Sequence, residues 1–113
     1  MAQGDVPVVQ GFVRMGLLLD FYGGLLTERQ LFACRLYFVE NLSLGEIAAE
    51  LSISRQAVHD TVRRAEQTLL GYEDKLGLVA RFVERQSELR HLRDLYLEGR
   101  TAEVLTLLEE LIT

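Results

Sequence analysis

The chain has 113 residues, 49% of them apolar and 26% charged, and carries a net charge of −5 from 12 Lys/Arg against 17 Asp/Glu. That mix belongs to a globular protein and not to a disordered segment, and the length holds one domain, or one small domain with an appendage. A single cysteine excludes an internal disulfide and a multi-cysteine zinc site, and the acidic balance excludes a broadly basic nucleic-acid or membrane-surface binder, though not a local basic patch.

Residues 1–12, with Gly4, Pro7 and Gly11, show no sustained period and are expected to form a flexible N-terminal tail. From Val13 the pattern is helical: Met15, Leu18, Leu19 and Tyr22 recur at three- and four-residue steps until Gly23-Gly24. Thr27 and Gln30 have the spacing of a capping box, in which each side chain answers the other residue's free backbone N–H. They open a helix over Glu28–Glu40 that is apolar on more than one face and therefore central. Ser43 and Glu46 form a second capping box ahead of a short third helix ending near Leu51. After a break at Ser52-Ile53, Ser54 caps a fourth helix whose apolar positions Val58, Val62, Ala65, Leu69, Tyr72 and Leu76 follow an unbroken alternation of three and four. That seam carries the helix through Gly71 to a stop at Gly77. A fifth helix bears Val79, Phe82, Val83, Leu89, Leu92 and Tyr96 on its apolar side and stops at Gly99, and Thr101 caps a last one with Val104, Leu105, Leu108, Leu111 and Ile112. No stretch alternates as a strand would, so the fold class is all-α. The organisation is a tail (1–12), a helix-turn-helix domain (13–76) and a C-terminal helical extension (77–113).

The window LGEIAAELSISRQAVHDTV, Leu44–Val62, meets several independent demands of a helix-turn-helix. Ala48 is small where the second helix must cross closely. Leu51 and Ile53 flank the turn, Ser54 caps the second helix, and Val58 with Val62 anchors it. Left outward are Arg55, Gln56, His59, Asp60, Arg63 and Arg64, with Ser54 at the helix start. Arg and Gln are the types that pair bidentately with guanine and adenine edges, and free N–H groups at a helix start suit a phosphate. Asp60 is a candidate reader of cytosine, or the i,i+4 partner of Arg64. The patch is thin: Arg55, Arg63 and Arg64 stand against Asp60 and Glu66, a net of +1 over 55–67. A DNA grip through many phosphates needs more cations than that. Arg14, Arg29 and Arg35 are further candidates, and a homodimer would double the set.

These residues also carry a resemblance. The stretch LLLDFYGGLLTERQ, then LYFVENLSLGEIAAELSISRQAVHDTVRRAE and LLGYEDKLGL, covering about residues 13–79, resembles the YlxM family of small bacterial proteins. The resemblance implies a three- or four-helix core like the fourth, DNA-binding region of sigma-70 factors; the two C-terminal helices read from the periodicity, over residues 80–113, carry no motif of the family. It also implies an accessory or regulatory role in the signal recognition particle pathway, because genes of that family usually lie beside those for its GTPase and receptor. Two readings stay open: a regulator that binds DNA through Ser54–Arg64, with RNA as the other nucleic acid, and an accessory protein that binds the particle's RNA or GTPase.

No residue pattern supports an enzyme, and no cofactor or metal is expected. Cys34, in an apolar helix without a His or Asn partner signature, reads as a small buried hydrophobe. The adjacent pairs Glu73-Asp74 and Glu109-Glu110 point apart on a helix and read as solvated. The seam through Leu69, Tyr72 and Leu76 is either core or a dimer interface, and the length of the fourth helix favours a homodimer. The start of the chain lacks a secretory signal and no run is long enough to cross a membrane, so a soluble cytoplasmic protein is expected.

Overall fold

A computed structural model describes residues 8–113, and among them it holds six α-helices and no strand. In order these are α1 (Val8–Tyr22), α2 (Glu28–Cys34), α3 (Leu44–Leu51), α4 (Arg55–Leu76), α5 (Leu78–Leu97) and α6 (Thr101–Ile112). The all-α reading therefore holds. Two boundaries differ from the sequence expectation. Helix α1 starts at Val8 and not at Val13, so residues 8–12 of the expected tail are helical, and residues 1–7 lie outside the described residues. Ring contacts hold this early start: Phe12 stands 6.2 Å from Tyr37 and 5.7 Å from Phe38, centroid to centroid. Such long-range partners leave no periodic trace in the tail itself. The second difference is that Glu28–Glu40 is not one α-helix. After Cys34 the chain widens into a π-helical turn over Arg35–Val39, closed by a bond from the Glu40 N–H to the Arg35 carbonyl.

The first of two compact units ends at Val79. Its spine is α4, against which α1, α2 and α3 all pack. Leu18, Tyr22, Ile47, Val58 and Leu69 are its largest fully buried side chains, joined by Cys34, Ala33 and Ala65. Helices α2, α3 and α4 start where their capping residues place them. Thr27 and Ser43 form complete capping boxes with Gln30 and Glu46, and the Ser54 hydroxyl accepts the Ala57 N–H at 3.0 Å. At the other end of α4, Gly77 takes the left-handed conformation (φ 64°) and its N–H closes on the Glu73 carbonyl at 2.8 Å. Leu69 is fully buried in its own chain, with Tyr72 packed beside it, whereas Leu76 at the end of that seam is 47% exposed.

A polar cluster lies within this core. Tyr22 Oη donates to Glu73 Oε1 at 2.6 Å and accepts the Leu78 N–H at 3.0 Å, while the Val79 N–H donates to the same Glu73 oxygen at 3.0 Å. The ring of Tyr22 also stacks on Tyr72, centroids 6.0 Å apart. Glu73 is thus buried, not solvated as its acidic neighbour suggested, because its carboxylate accepts the Tyr22 hydroxyl and caps the Val79 N–H at the start of α5.

The second unit spans Ala80–Thr113. Helix α5 ends in a two-bond turn: the Arg100 N–H reaches the Leu95 carbonyl and the Gly99 N–H that of Tyr96, with Gly99 left-handed (φ 77°). Thr101 is not the cap of α6. Arg100 stands at that position without a capping side chain, and its guanidinium pairs instead with Glu98 and Glu103. The hydrogen bond from Arg100 holds the Glu103 carboxyl below the usual carboxylate range.

Candidate nucleic-acid interface

The α3–turn–α4 geometry is set at Ser52. This residue adopts φ 57°, ψ 44°, and both its own N–H and that of Ile53 bond to the Ala48 carbonyl, so α3 stops abruptly and the chain turns into the Ser54 cap. Ile47, Ala48, Val58 and Val62, all buried, lock the two helices together. The same packing forces the opposite side of α4 outward. Ser54, Arg55, Gln56, His59, Asp60, Arg63 and Arg64 are all exposed.

These side chains are not equivalent. Arg55 folds back over the start of α3: a Cβ placed on Gly45 would sit 3.1 Å from its Nε and 3.2 Å from a terminal nitrogen. Its charge therefore lies at the beginnings of both α3 and α4, where the two helix dipoles also present positive ends. Gln56 donates to Asp60 Oδ1 at 3.0 Å, and His59 Nδ1 stands 3.6 Å from the same oxygen. The expected Asp60–Arg64 pair does not form. Asp60 instead accepts one N–H of the Gln56 amide, which leaves its second N–H and its Oε1 outward.

Two grooves flank α4. On one side Asp60, Thr61 and Arg64 face Thr27, Arg29 and Gln30 of the α2 start across a groove of about 320 Å³. On the other, His59, Arg63 and Glu66 face Tyr37 and Leu44 across one of about 150 Å³. The π-helical turn delivers Tyr37 to that wall. Sequence alone gave Arg14, Arg29 and Arg35 no direction. The structure brings Arg29 to the α4 face beside Arg64, sets Arg14 further along the Glu66 side, and leaves Arg35 in a separate groove with Leu31 and Phe32. Among the described residues, Arg29, Arg55, Arg63 and Arg64 make no ion pair.

The rest of the molecule offers other chemistry little support. Among the described residues no three His, Cys, Asp or Glu side chains are grouped to hold a metal ion, and no helix is long and apolar enough to cross a membrane. Cys34 is fully buried, and burial, with the Glu66 charge second, pushes its thiol up to about 12.

Comparison with known proteins agrees with this geometry. A family model described as "UPF0122: Putative helix-turn-helix protein, YlxM / p13 like" matches residues 9–108. A UPF0122 protein of Desulforamulus reducens is 52% identical over 95 residues, covering 81% of both chains. Another, from Halalkalibacterium halodurans, is 45% identical over 102 residues, covering 89% of this chain and 94% of its own. A third, from Bacillus thuringiensis, is 49% identical over 85 residues, covering 75% and 77%.

Proposed function

Because the chain belongs to the UPF0122 family of YlxM/p13-like helix-turn-helix proteins, we propose that it is a non-enzymatic regulatory protein of the cytoplasm that binds duplex DNA through Ser54–Arg64. The observation that carries this reading is the set of arginines without ion pairs, Arg29, Arg55, Arg63 and Arg64, gathered on the outward face of the helix-turn-helix. In the binding mode this supports, α4 enters the major groove with its first turns. Arg55 meets a phosphate at the start of α3 and α4, Arg63 and His59 lie toward the bases, and Arg29 and Arg64 follow the adjacent backbone. The three arginines placed on phosphates, Arg29, Arg55 and Arg64, correspond to a salt slope of about −3 per copy, a modest grip. A homodimer would double it and read two half-sites. The setting that the resemblance to YlxM implies, the signal recognition particle pathway, belongs to the same proposal as its biological context.

The test is a fluorescence anisotropy titration against random-sequence duplex DNA, with the signal recognition particle RNA and its GTPase in parallel, at two salt concentrations. The expected result is salt-sensitive duplex binding that Arg55→Ala and Arg63→Ala each weaken severalfold with unchanged melting, the loss of Arg55 also making the salt slope shallower by about 1. Binding to duplex that neither variant weakens refutes the assignment of the face. Silence on DNA with binding to the RNA or GTPase refutes the DNA reading itself.

A further inference from the structure

The unit Ala80–Thr113 does not close a core of its own. Of its side chains only Leu95 is buried, and α6 buries none. Val83, Leu89, Tyr96, Leu97, Leu105 and Ile112 are 44% to 79% exposed. A two-helix segment this short lies below the size at which a chain buries enough surface to be stable alone, and oligomerisation is one of the standard remedies. Isolated helices of about 12–15 residues are likewise marginal in water, yet α6 is a complete helix whose apolar row Leu105, Leu108 and Ile112 leaves its two end side chains 62% and 79% exposed.

Charge decides what covers this row. Helix α6 carries Glu103, Glu109 and Glu110 and no cation, whereas α5 beyond Val79 carries Arg81, Arg85, Arg90 and Arg93 against Glu84, Glu88 and Asp94. Packing α6 on α6 of a second copy would juxtapose carboxylates. Packing α6 on α5 of a second copy places the acidic helix on the one with a cationic excess and buries apolar surface from both. We propose that two copies of this chain associate through their C-terminal helices, α6 of each lying on α5 of the other, to form a closed four-helix bundle with two-fold symmetry. This rests on the reading of the protein as a homodimer and assigns that dimer its surface. It leaves the nucleic-acid reading untouched if it fails.

The experiment is light scattering coupled to size exclusion on the full chain, with urea unfolding alongside. The wild type is expected at twice the chain mass of 12.9 kDa. Leu105→Glu, at a side chain 62% exposed, is expected to halve the mass and leave the helix-turn-helix unit melting cooperatively, while Val13→Glu, 58% exposed on α1, leaves the mass unchanged. Charge reversal tests the pairing of α6 with α5 separately. Glu109→Lys with Glu110→Lys in one chain, and Arg90→Glu with Arg93→Glu in another, each weaken self-association at least tenfold, and mixing the two restores a dimer because both α5–α6 pairs then become complementary. A wild type that is monomeric at about 100 μM overturns the dimer itself. A dimer that survives Leu105→Glu overturns the surface. A mixture that stays monomeric overturns the exchange of helices between copies.

Discussion

Replacing Tyr22 by Phe removes one oxygen and little volume, so it isolates the polar cluster under the α4–α5 junction. The ring is 1% exposed, and its hydroxyl both donates to Glu73 at 2.6 Å and accepts the Leu78 N–H at 3.0 Å. A hydrogen bond to a charged group contributes about 1.5–3 kcal/mol, and a backbone donor deprived of its acceptor adds about 1 kcal/mol where water reaches it only in part. Glu73 keeps its bond from the Val79 N–H at 3.0 Å, which limits the damage. The sum is a loss of about 2–4 kcal/mol, a large share of the roughly 5–15 kcal/mol that holds a domain of this size. Urea unfolding followed by far-ultraviolet circular dichroism reads it directly as a lower midpoint at unchanged slope. Glu73→Gln retains an acceptor for Val79 and should lose less, about 1–2 kcal/mol. A Tyr22→Phe variant within about 0.5 kcal/mol of wild type would refute the cluster's structural role.

Three further perturbations probe other parts of the account. Ser52→Val sets a β-branched residue in the left-handed turn between α3 and α4 (φ 57°), and should cost at least about 1–2 kcal/mol by thermal or urea melting, whereas Ser52→Gly should be neutral or stabilising. Asp60→Ala releases Gln56 and removes an anion from the face, so duplex affinity measured by anisotropy should rise severalfold, about 0.5–1 kcal/mol, with the fold intact. Cys34 is raised from 9.0 to about 12 in the folded state, so folding holds its proton more tightly. That stabilisation is fully present below pH 9 and is lost as pH rises toward 12, and the melting temperature should fall across that window more steeply than for Cys34→Ala. The native thiol should also resist alkylation at pH 8 until urea unfolds the chain.

Local chemistry made much of the fold legible. Thr27–Gln30 and Ser43–Glu46 announce their helices because a capping box is complete within four residues of sequence, and both boxes form. The three-four seam carried α4 correctly through Gly71 to Leu76, since its apolar positions meet α1, α2 and α3 along most of its length. What stayed hidden depends on partners distant in sequence. Glu73 reads as one of two surface acids until Tyr22, on another helix, supplies its donor. The π-helical turn at Arg35–Val39 lies in a stretch apolar on several faces, where no period distinguishes it from continued α-helix. Asp60 chose Gln56 over Arg64 although both stand four residues away, a competition between two exposed partners that spacing does not rank. At the face itself, the motif located Ser54–Arg64 on α4, but Arg29 joined it only through the packing of α2 against α4.

The most direct measurement of the central claim is amide chemical-shift mapping: the ¹⁵N-labelled chain titrated with a short random-sequence DNA duplex at low salt. The account predicts perturbations concentrated at Ser54–Arg64, with Arg29 and the start of α3 at Gly45 beside them, while the buried amides of α1 stay in place. Perturbations confined to α5 and α6, or none at duplex concentrations where anisotropy saturates, would contradict the assignment of the helix-turn-helix face as the part of this protein that meets DNA.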